Sequence, residues 1–403
     1  MEPYTYRILA KAAGVPRVRA GEEYTFPVER RLLYPWPALS DWFAQVIDRE
    51  LGGKLPRPQE VDMTFDHMVP VKNAAQERFI RESRDWALGK GIHVIEGEGI
   101  GHLLAIQEGW VRPGMVVPHF DTHVSSVGAI GALGVGLLKE MLSPLATGCL
   151  WLEVPPLLRV RLTGSLPQGV MGRDLLHTLV REAGLERCGG KIIEFGGPGA
   201  AAMALDDRIT VCNLANYLGA VSAVFDPEGA SWEEDGETLT LPLEGIEPCL
   251  AAPPSTANAK PLSQAAGLPV DLGIIGTCAG GGLGDMAAAA HILAGKKLPA
   301  GKTLYVIPST RKIYEEAIRR GYLRALAEAG CFISSPTCDF CYGSAAYLGD
   351  GKRAISTQTL NVTGRLGGLG GEIYLGSAAA VAASLLRGQI TDPREFWEGG
   401  GEG

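Results

Sequence analysis

The chain has 403 residues, with 37 Lys or Arg against 45 Asp or Glu, for a formal net charge of −8. Hydrophobic residues make up 46% and charged residues 20%, too apolar for a mainly disordered chain and too acidic for nucleic-acid binding by bulk charge. At roughly 100–200 residues per domain, the length predicts about two to four domains.

In chain order, the first ~60 residues hold amphipathic pieces near Tyr6–Ala13 and Ala38–Leu51. Val61 to His67 reads as a strand with a polar end, Asn73 to Leu88 as a helix, and His93 to Glu96 as a strand. Met115 to His123 is a strand running into a polar tip, and the small, apolar Gly128 to Leu142 reads as a tightly packed helix. A second region follows, with strands at Leu158–Leu162 and Lys191–Phe195 and helices at Gly172–Ala183 and Leu205–Gly219. Leu250 to Leu268, rich in Ala, Pro, Ser and Asn, is the expected linker. Then come a strand at Asp271–Ile275, a glycine-rich turn, a helix through Leu293, a strand at Leu304–Pro308, and helical sequence from Thr310 to Glu328 broken near Gly321. A strand from Cys331 and a helix at Ala378–Leu386 complete the pattern, before a glycine-rich end at Gly399–Gly403. This βα alternation predicts an α/β fold of parallel sheets covered by helices. The 54 glycines, well above a usual ~7%, suit tight strand-to-helix turns.

The longest apolar stretch, Val127 to Leu138, is shorter than the roughly 20 residues that span a bilayer. The opening Met-Glu-Pro-Tyr-Thr-Tyr has neither the basic nor the apolar region of a signal peptide, so the expected compartment is the cytoplasm, with no membrane and no nucleic-acid partner. Eight cysteines in a chain this long are no disulfide scaffold. Cys149, Cys188, Cys212 and Cys249 lie in apolar runs and read as reduced, packed thiols.

Cys278, Cys338 and Cys341 stand apart, with a C-x59-C-x2-C spacing. Three thiolates can hold three corners of a cubane iron–sulfur cluster and leave one iron open as a Lewis acid. Cys278 also precedes a helix start, where a thiolate is favoured. A C-x-x-C equally serves packing, redox or zinc sites, and zinc can draw a fourth ligand from Cys331 or His291. Three of the seven histidines sit at strand ends or turns: Asp66-His67, Asp121-Thr122-His123, and His102 after Gly99-Ile-Gly. A carboxylate beside an imidazole holds its tautomer and tunes it for proton transfer, and ligands of open α/β sheets bind beyond the carboxyl ends of strands. Arg365, in a glycine-rich tract, is either a carboxylate clamp or a surface arginine. Gly280-Gly-Gly-Leu-Gly is not a dinucleotide fingerprint.

The chain resembles the aconitase superfamily, and within it most closely the large subunits of 3-isopropylmalate dehydratases, from about Thr5 to Pro393. The segments that carry the likeness are Phe65-Asp-His-Met-Val-Pro, Gly99-Ile-Gly-His102, Arg112-Pro-Gly-Met, Asp121-Thr-His, Gly128-Ala-Ile-Gly-Ala-Leu and Thr210-Val-Cys-Asn-Leu. Gly276-Thr-Cys278, Cys338-Asp-Phe-Cys341-Tyr-Gly, Ser356-Thr to Gly364-Arg365, and Tyr374-Leu to Asp392-Pro393 continue it.

The resemblance implies three α/β domains around a 4Fe–4S cluster held by Cys278, Cys338 and Cys341. It implies catalytic roles for Asp66, His67, His102, Asp121 and His123, and a substrate carboxylate on Arg365. The implied reaction is dehydration or isomerisation of a small 2-hydroxy acid. A fourth, swivelling domain with a serine base is expected on a separate small subunit. The expected domains are 1–155, 156–265 ending in the linker, and 266–403 with the cluster cysteines. The sequence also departs from the family. Its Asp-Ser-His reads Asp121-Thr122-His123, its Asn-Arg pair reads Thr359-Leu360, a Glu reads Tyr217, and its polar stretch near residue 35 reads Leu33-Tyr-Pro-Trp-Pro-Ala. Losing a desolvated Arg–carboxylate pair costs on the order of 2–5 kcal/mol, so an altered substrate pocket is expected around Arg365, Thr122, Thr359 and Leu360. The alternatives are a cluster protein with a role in desulfuration, sulfur transfer or regulation, and a zinc-stabilised binding protein.

Overall fold

Two parallel sheets, one mostly parallel sheet and one small antiparallel pair organise the computed structural model, which describes residues 2–229 and 238–397. The glycine-rich end at Gly399–Gly403 lies outside the described residues. The first sheet runs in the order His93–Glu96, Val61–Phe65, Arg31–Leu33, Val116–His119 and Leu133–Gly136, all parallel. The second holds Ser222–Phe225, Ile192–Gly196, Leu157–Thr163 and Leu239–Pro242, again parallel. In the third, Glu372–Gly376, Arg353–Ser356, Leu272–Gly276, Thr303–Ile307 and Phe332–Ile333 are parallel, and Cys249–Ala251 and Ala259–Pro261 extend one edge antiparallel. Glu23–Pro27 pairs antiparallel with Cys149–Glu153. This is the α/β architecture that the alternation predicts.

The central strands are buried along their whole length. Leu-Gly-Ile-Ile-Gly at Leu272–Gly276 and Ile-Ile-Glu-Phe-Gly at Ile192–Gly196 expose no residue, as strands covered on both faces require. The helix Ala378–Arg387 is apolar on every side and buried down to Leu385, the signature of a helix inside the core. Its N-cap, Ser377, accepts from the amide of Ala380. Gly321, at φ 78°, separates the helices Arg311–Arg319 and Tyr322–Ala329 where the sequence expects a break.

Two expectations fail. Gly128–Leu142 is not one helix but the end of a 3-10 segment, Thr122–Ile130, followed by the strand Leu133–Gly136. Its glycines serve close backbone approach instead of helix packing. A Cβ on Gly128 would lie 1.8 Å from the carbonyl oxygen of Ala223, and one on Gly134 would lie 2.2 Å from that of Val124. Leu250–Leu268 is no free linker, because Cys249–Ala251 and Ala259–Pro261 sit in it as paired strands. The buried Cys249-Leu-Ala run drives that pairing, and proline is tolerated there because the strand lies at a sheet edge.

Candidate active site

The site forms beyond the carboxyl ends of strands in the first and third sheets. Val61–Phe65 delivers Asp66 and His67, and Val116–His119 delivers Asp121, Thr122 and His123. In the third sheet, Leu272–Gly276 lies between Thr303–Ile307 and Arg353–Ser356, so chain connections leave it toward both sides. Cys278 and Thr357–Thr359 follow the ends of two of these strands, which is where open α/β sheets bind ligands. The turn into Cys278 is tight. Thr277 takes φ 50°, and a Cβ on Gly276 would lie 2.5 Å from the Ile307 carbonyl oxygen. Such left-handed backbone costs on the order of 1–3 kcal/mol and persists where the surroundings enforce it.

Two loops lock the sheets together at this point. The amide of Cys338 donates to the carbonyl of Asp66 (2.9 Å), and the amide of Met68 donates to Oδ1 of Asp339 (2.8 Å). The loop bearing Asp66 and His67 is therefore seated on the loop bearing Cys338 and Cys341.

Cys278, Cys338 and Cys341 face one small volume and feel one another. Burial, then the charge of Cys341, push the Cys278 thiol well above the usual range. Cys338 is raised by its hydrogen bond to Cys341 and by burial. Cys341 is the thiol drawn down: its bond to Cys338 outweighs burial, and the guanidinium of Arg365, the Thr359 hydroxyl and His123 act in the same direction. Three thiolates so placed repel one another unless metal charge compensates them. No trio of His, Cys, Asp or Glu among the described residues closes around a single ion. The donor chemistry, three buried sulfurs near one another, is of the kind that takes three corners of a cubane cluster. The suggested fourth zinc ligands stand elsewhere. His291 Nε2 lies 3.1 Å from the carbonyl of Phe396 with its ring stacked on Trp397, and Cys331 packs against a hydrophobic core.

The imidazoles fall into two kinds. His67 Nδ1 lies 2.7 Å from Asp66 Oδ1, and His123 Nδ1 lies 2.9 Å from Asp121 Oδ1. Burial disfavours both imidazolium ions, but the adjacent carboxylate's charge and hydrogen bond outweigh it, and both pKa values rise. Asp121 is largely but not fully buried, which pushes it up, yet the charge and hydrogen bond of His123 hold it far below the usual carboxylate range. His102 and His119 have no such partner. Burial drives them down to about 3 and about 4, so both are neutral. Their rings lie 6.0 Å apart, and His102 lies 6.2 Å from His123. His102 Nε2 and His119 Nδ1 are buried without a partner among the described residues. Titratable groups pushed apart in this way mark an acid–base site. Asp66 also accepts from the amide of Gly101, at the start of the helix that carries His102 (3.0 Å).

The remaining predicted residues lie beside these groups, with Thr122 exposed. Thr122 Oγ1 accepts from Asn216 Nδ2 (2.6 Å). Thr359 Oγ1 is 3.3 Å from Cys341 Sγ, and Leu360 beside it is half-buried. Arg365 Nε donates to the Cys341 carbonyl (2.8 Å), and another guanidinium nitrogen stands 3.8 Å from Cys341 Sγ. One edge of this guanidinium thus braces a cysteine. The sequence gives no role to three further participants, His119, Asp339 and Asn213, whereas the aromatic group around His67 includes Tyr34 and Trp36 of the stretch that departs from the family. Tyr34 stacks on His67 (4.3 Å between ring centroids), Tyr342 lies 5.7 Å away, and Trp36 meets it edge-on at 5.4 Å. Asn213 Oδ1 lies 3.7 Å from Cys278 Sγ. The one available signal was position, since Asp339 falls between two of the cysteines and His119 two residues before Asp121.

A cysteine trio and paired Asp–His groups at the rims of parallel sheets define a class, and the chain belongs to it: it is a member of the aconitase family. The family profile, Aconitase family (aconitate hydratase), matches residues 46–233 and 245–388. The protein is accordingly an enzyme of the hydro-lyase type. Among its relatives, the 3-isopropylmalate dehydratase large subunit of Wolinella succinogenes is 34% identical over 371 residues, covering 85% of this chain and 88% of that protein. The 3-isopropylmalate dehydratase large subunit 1 of Methanopyrus kandleri is 33% identical over 362 residues, covering 84% and 87%. In fold, the chain is similar to the crystal structure of Thermococcus kodakaraensis aconitase X in its holo-form, with a TM-score of 0.51, 12% identity, and coverage of 88% and 87%.

Proposed function

We propose that this chain is the cluster-bearing large subunit of a 3-isopropylmalate dehydratase-like enzyme that dehydrates a small 2-hydroxy acid in an altered pocket. The observation that carries the reading is that Cys278, Cys338 and Cys341 lie close to one another and to the Asp66–His67 and Asp121–His123 pairs. When bound by these cysteines, a 4Fe–4S cluster supplies one iron without a protein ligand as a Lewis acid for substrate oxygen. Dehydration breaks one C–O and one C–H bond. His67 and His123, whose pKa values their carboxylates raise, are the groups placed to give the proton that turns departing hydroxide into water. His102, kept neutral by burial, offers an uncharged ring for orientation. Arg365 directs the guanidinium edge not used on Cys341 toward a substrate carboxylate. The carbon-bound proton needs a base, which we assign to a partner small subunit, since the carboxylates here are engaged by their histidines. Tyr34, Trp36, Thr359 and Leu360 replace polar and charged groups of the family pattern, which favours a substrate with a larger or less charged substituent.

The separate parallel sheets support three domains at 1–155, 156–265 and 266–403, with the last boundary drawn back toward Cys249 by the two edge strands. A cytoplasmic location is part of the same proposal. Among the described residues no helix is long and apolar enough to cross a membrane. A second reading, a cluster serving sulfur transfer, desulfuration or regulation, is favoured by the changes at Tyr217, Thr359 and Leu360.

The test is anaerobic co-expression with the small-subunit reading frame nearest its gene, then a screen of 2-hydroxy acids for the absorbance of the unsaturated product. Reversible dehydration that disappears in Cys338→Ser supports the proposal and rejects the second reading. A cluster-loaded complex that dehydrates none of them contradicts the proposal.

A further inference from the structure

His123 is held from both sides. Asp121 Oδ1 meets Nδ1 at 2.9 Å, and the hydroxyl of Tyr217 meets Nε2 at 2.8 Å, with the two rings 5.7 Å apart. Tyr217 comes from a different sheet region, in the 3-10 turn Ala215–Leu218 that follows the helix Leu205–Leu214. The helix and turn are fastened to the His123 loop at two other points: Asn216 Nδ2 donates to Thr122 Oγ1 (2.6 Å), and Asn213 Nδ2, at the helix end, donates to Ser126 Oγ (2.9 Å). The Tyr217 hydroxyl is also hydrogen-bonded to Thr359, whose Oγ1 lies 3.3 Å from Cys341 Sγ. Two of the positions where the sequence departs from its family, 217 and 359, thus touch each other and jointly link His123 to a cysteine.

We propose that Tyr217 is a positioning residue for His123, fixing the ring through Nε2 while Asp121 fixes it through Nδ1. An imidazole tethered at one nitrogen can still swing about that bond; a second tether at the opposite nitrogen removes the freedom. When the ring is neutral, a phenol donating to Nε2 leaves the ring proton on Nδ1, facing Asp121. A glutamate at 217, as in the family pattern, is acceptor-only when ionised and cannot impose that tautomer. Because Nε2 is met by Tyr217 instead of open space, a proton that His123 yields through this nitrogen leaves past the phenol. In its catalytic consequence the proposal rests on the dehydratase reading; in its geometric claim it does not.

The experiment is nitrogen-15 NMR of the full chain labelled at histidine, comparing wild type with Tyr217→Phe and Thr359→Val, and using His123→Gln to assign the signal. Tyr217→Phe is expected to move the Nε2 resonance to its unbonded position. Thr359→Val, which leaves the Tyr217–His123 contact intact, is expected to keep the wild-type pattern. In the active complex Tyr217→Phe is expected to lower kcat on the order of 10²-fold with KM unchanged. A His123 spectrum unaltered in Tyr217→Phe, or altered equally in Thr359→Val, overturns the proposal. If the wild type turns over no 2-hydroxy acid, the spectra alone decide, so failure of the dehydratase reading stays distinguishable.

Discussion

At the scale of single residues, burial and pairing compete at His67, Asp121 and His123, and pairing wins at all three. Asp121 and His123 show the consequence for pH. His123 is raised, so its share of stability is complete below the ordinary imidazole range and is lost as pH climbs through its folded value. Asp121 is depressed, so its share is present above the ordinary carboxylate range and is lost as pH falls through its folded value. Asp121→Asn is therefore expected to cost on the order of 3–5 kcal/mol near neutral pH. In urea unfolding the gap to wild type should close at both pH extremes; a gap that is flat across pH would contradict the pairing. The Asp–His pairs were legible in the sequence because their members are one and two residues apart. Tyr217 and Asn213 meet the site from a distant segment; the family pattern marks both positions, but nothing local tells that Tyr217 reaches His123 or that Asn213 reaches Cys278. Arg365 shows a subtler limit, because its position was readable but its use of one edge on Cys341 was not.

At the scale of elements, glycine decides where backbones can meet. A Cβ at Gly280 would lie 2.3 Å from Thr357 Cβ, in the turn that carries Cys278. Gly280→Ala is expected to leave the fold intact by circular dichroism while weakening cluster retention; unchanged cluster content would show that the turn yields. Gly128→Ala has no comparable escape, because its Cβ meets a strand carbonyl, and a stability loss of about 3 kcal/mol or more is expected. The same close approach explains why a glycine-spaced apolar run misreads as a helix: periodicity reports which residues are buried, not that they are small for a neighbouring backbone. Helix starts carry a pH signature as well. Asp174, in the first turn of the helix Gly172–Cys188, accepts from the amides of Met171 and Cys249, but burial dominates and lifts it to about 7. A carboxyl raised on folding gives stability that is complete below its ordinary range and is lost as pH rises toward 7. Asp174→Asn should flatten that decline in thermal unfolding measured between about pH 4 and 8; a decline of unchanged slope would assign it to other groups.

At the scale of the whole molecule, separate parts of the chain each supply what the others lack. The first sheet brings the Asp–His pairs, the second region brings the turn that grips His123, and the third brings all three cysteines. The βα alternation made the parallel sheets legible. Their meeting was not, because contacts such as Cys338 to Asp66 join residues far apart in sequence. The central claim is that the three cysteines together carry one iron–sulfur cluster. The most direct measurement counts iron and acid-labile sulfide per chain after anaerobic reconstitution, in wild type and in Cys278→Ser, Cys338→Ser and Cys341→Ser. The expected result is a full 4Fe–4S complement in wild type and loss of it in every variant. Zinc without iron in the wild type, or a serine variant that keeps the full complement, would contradict the account.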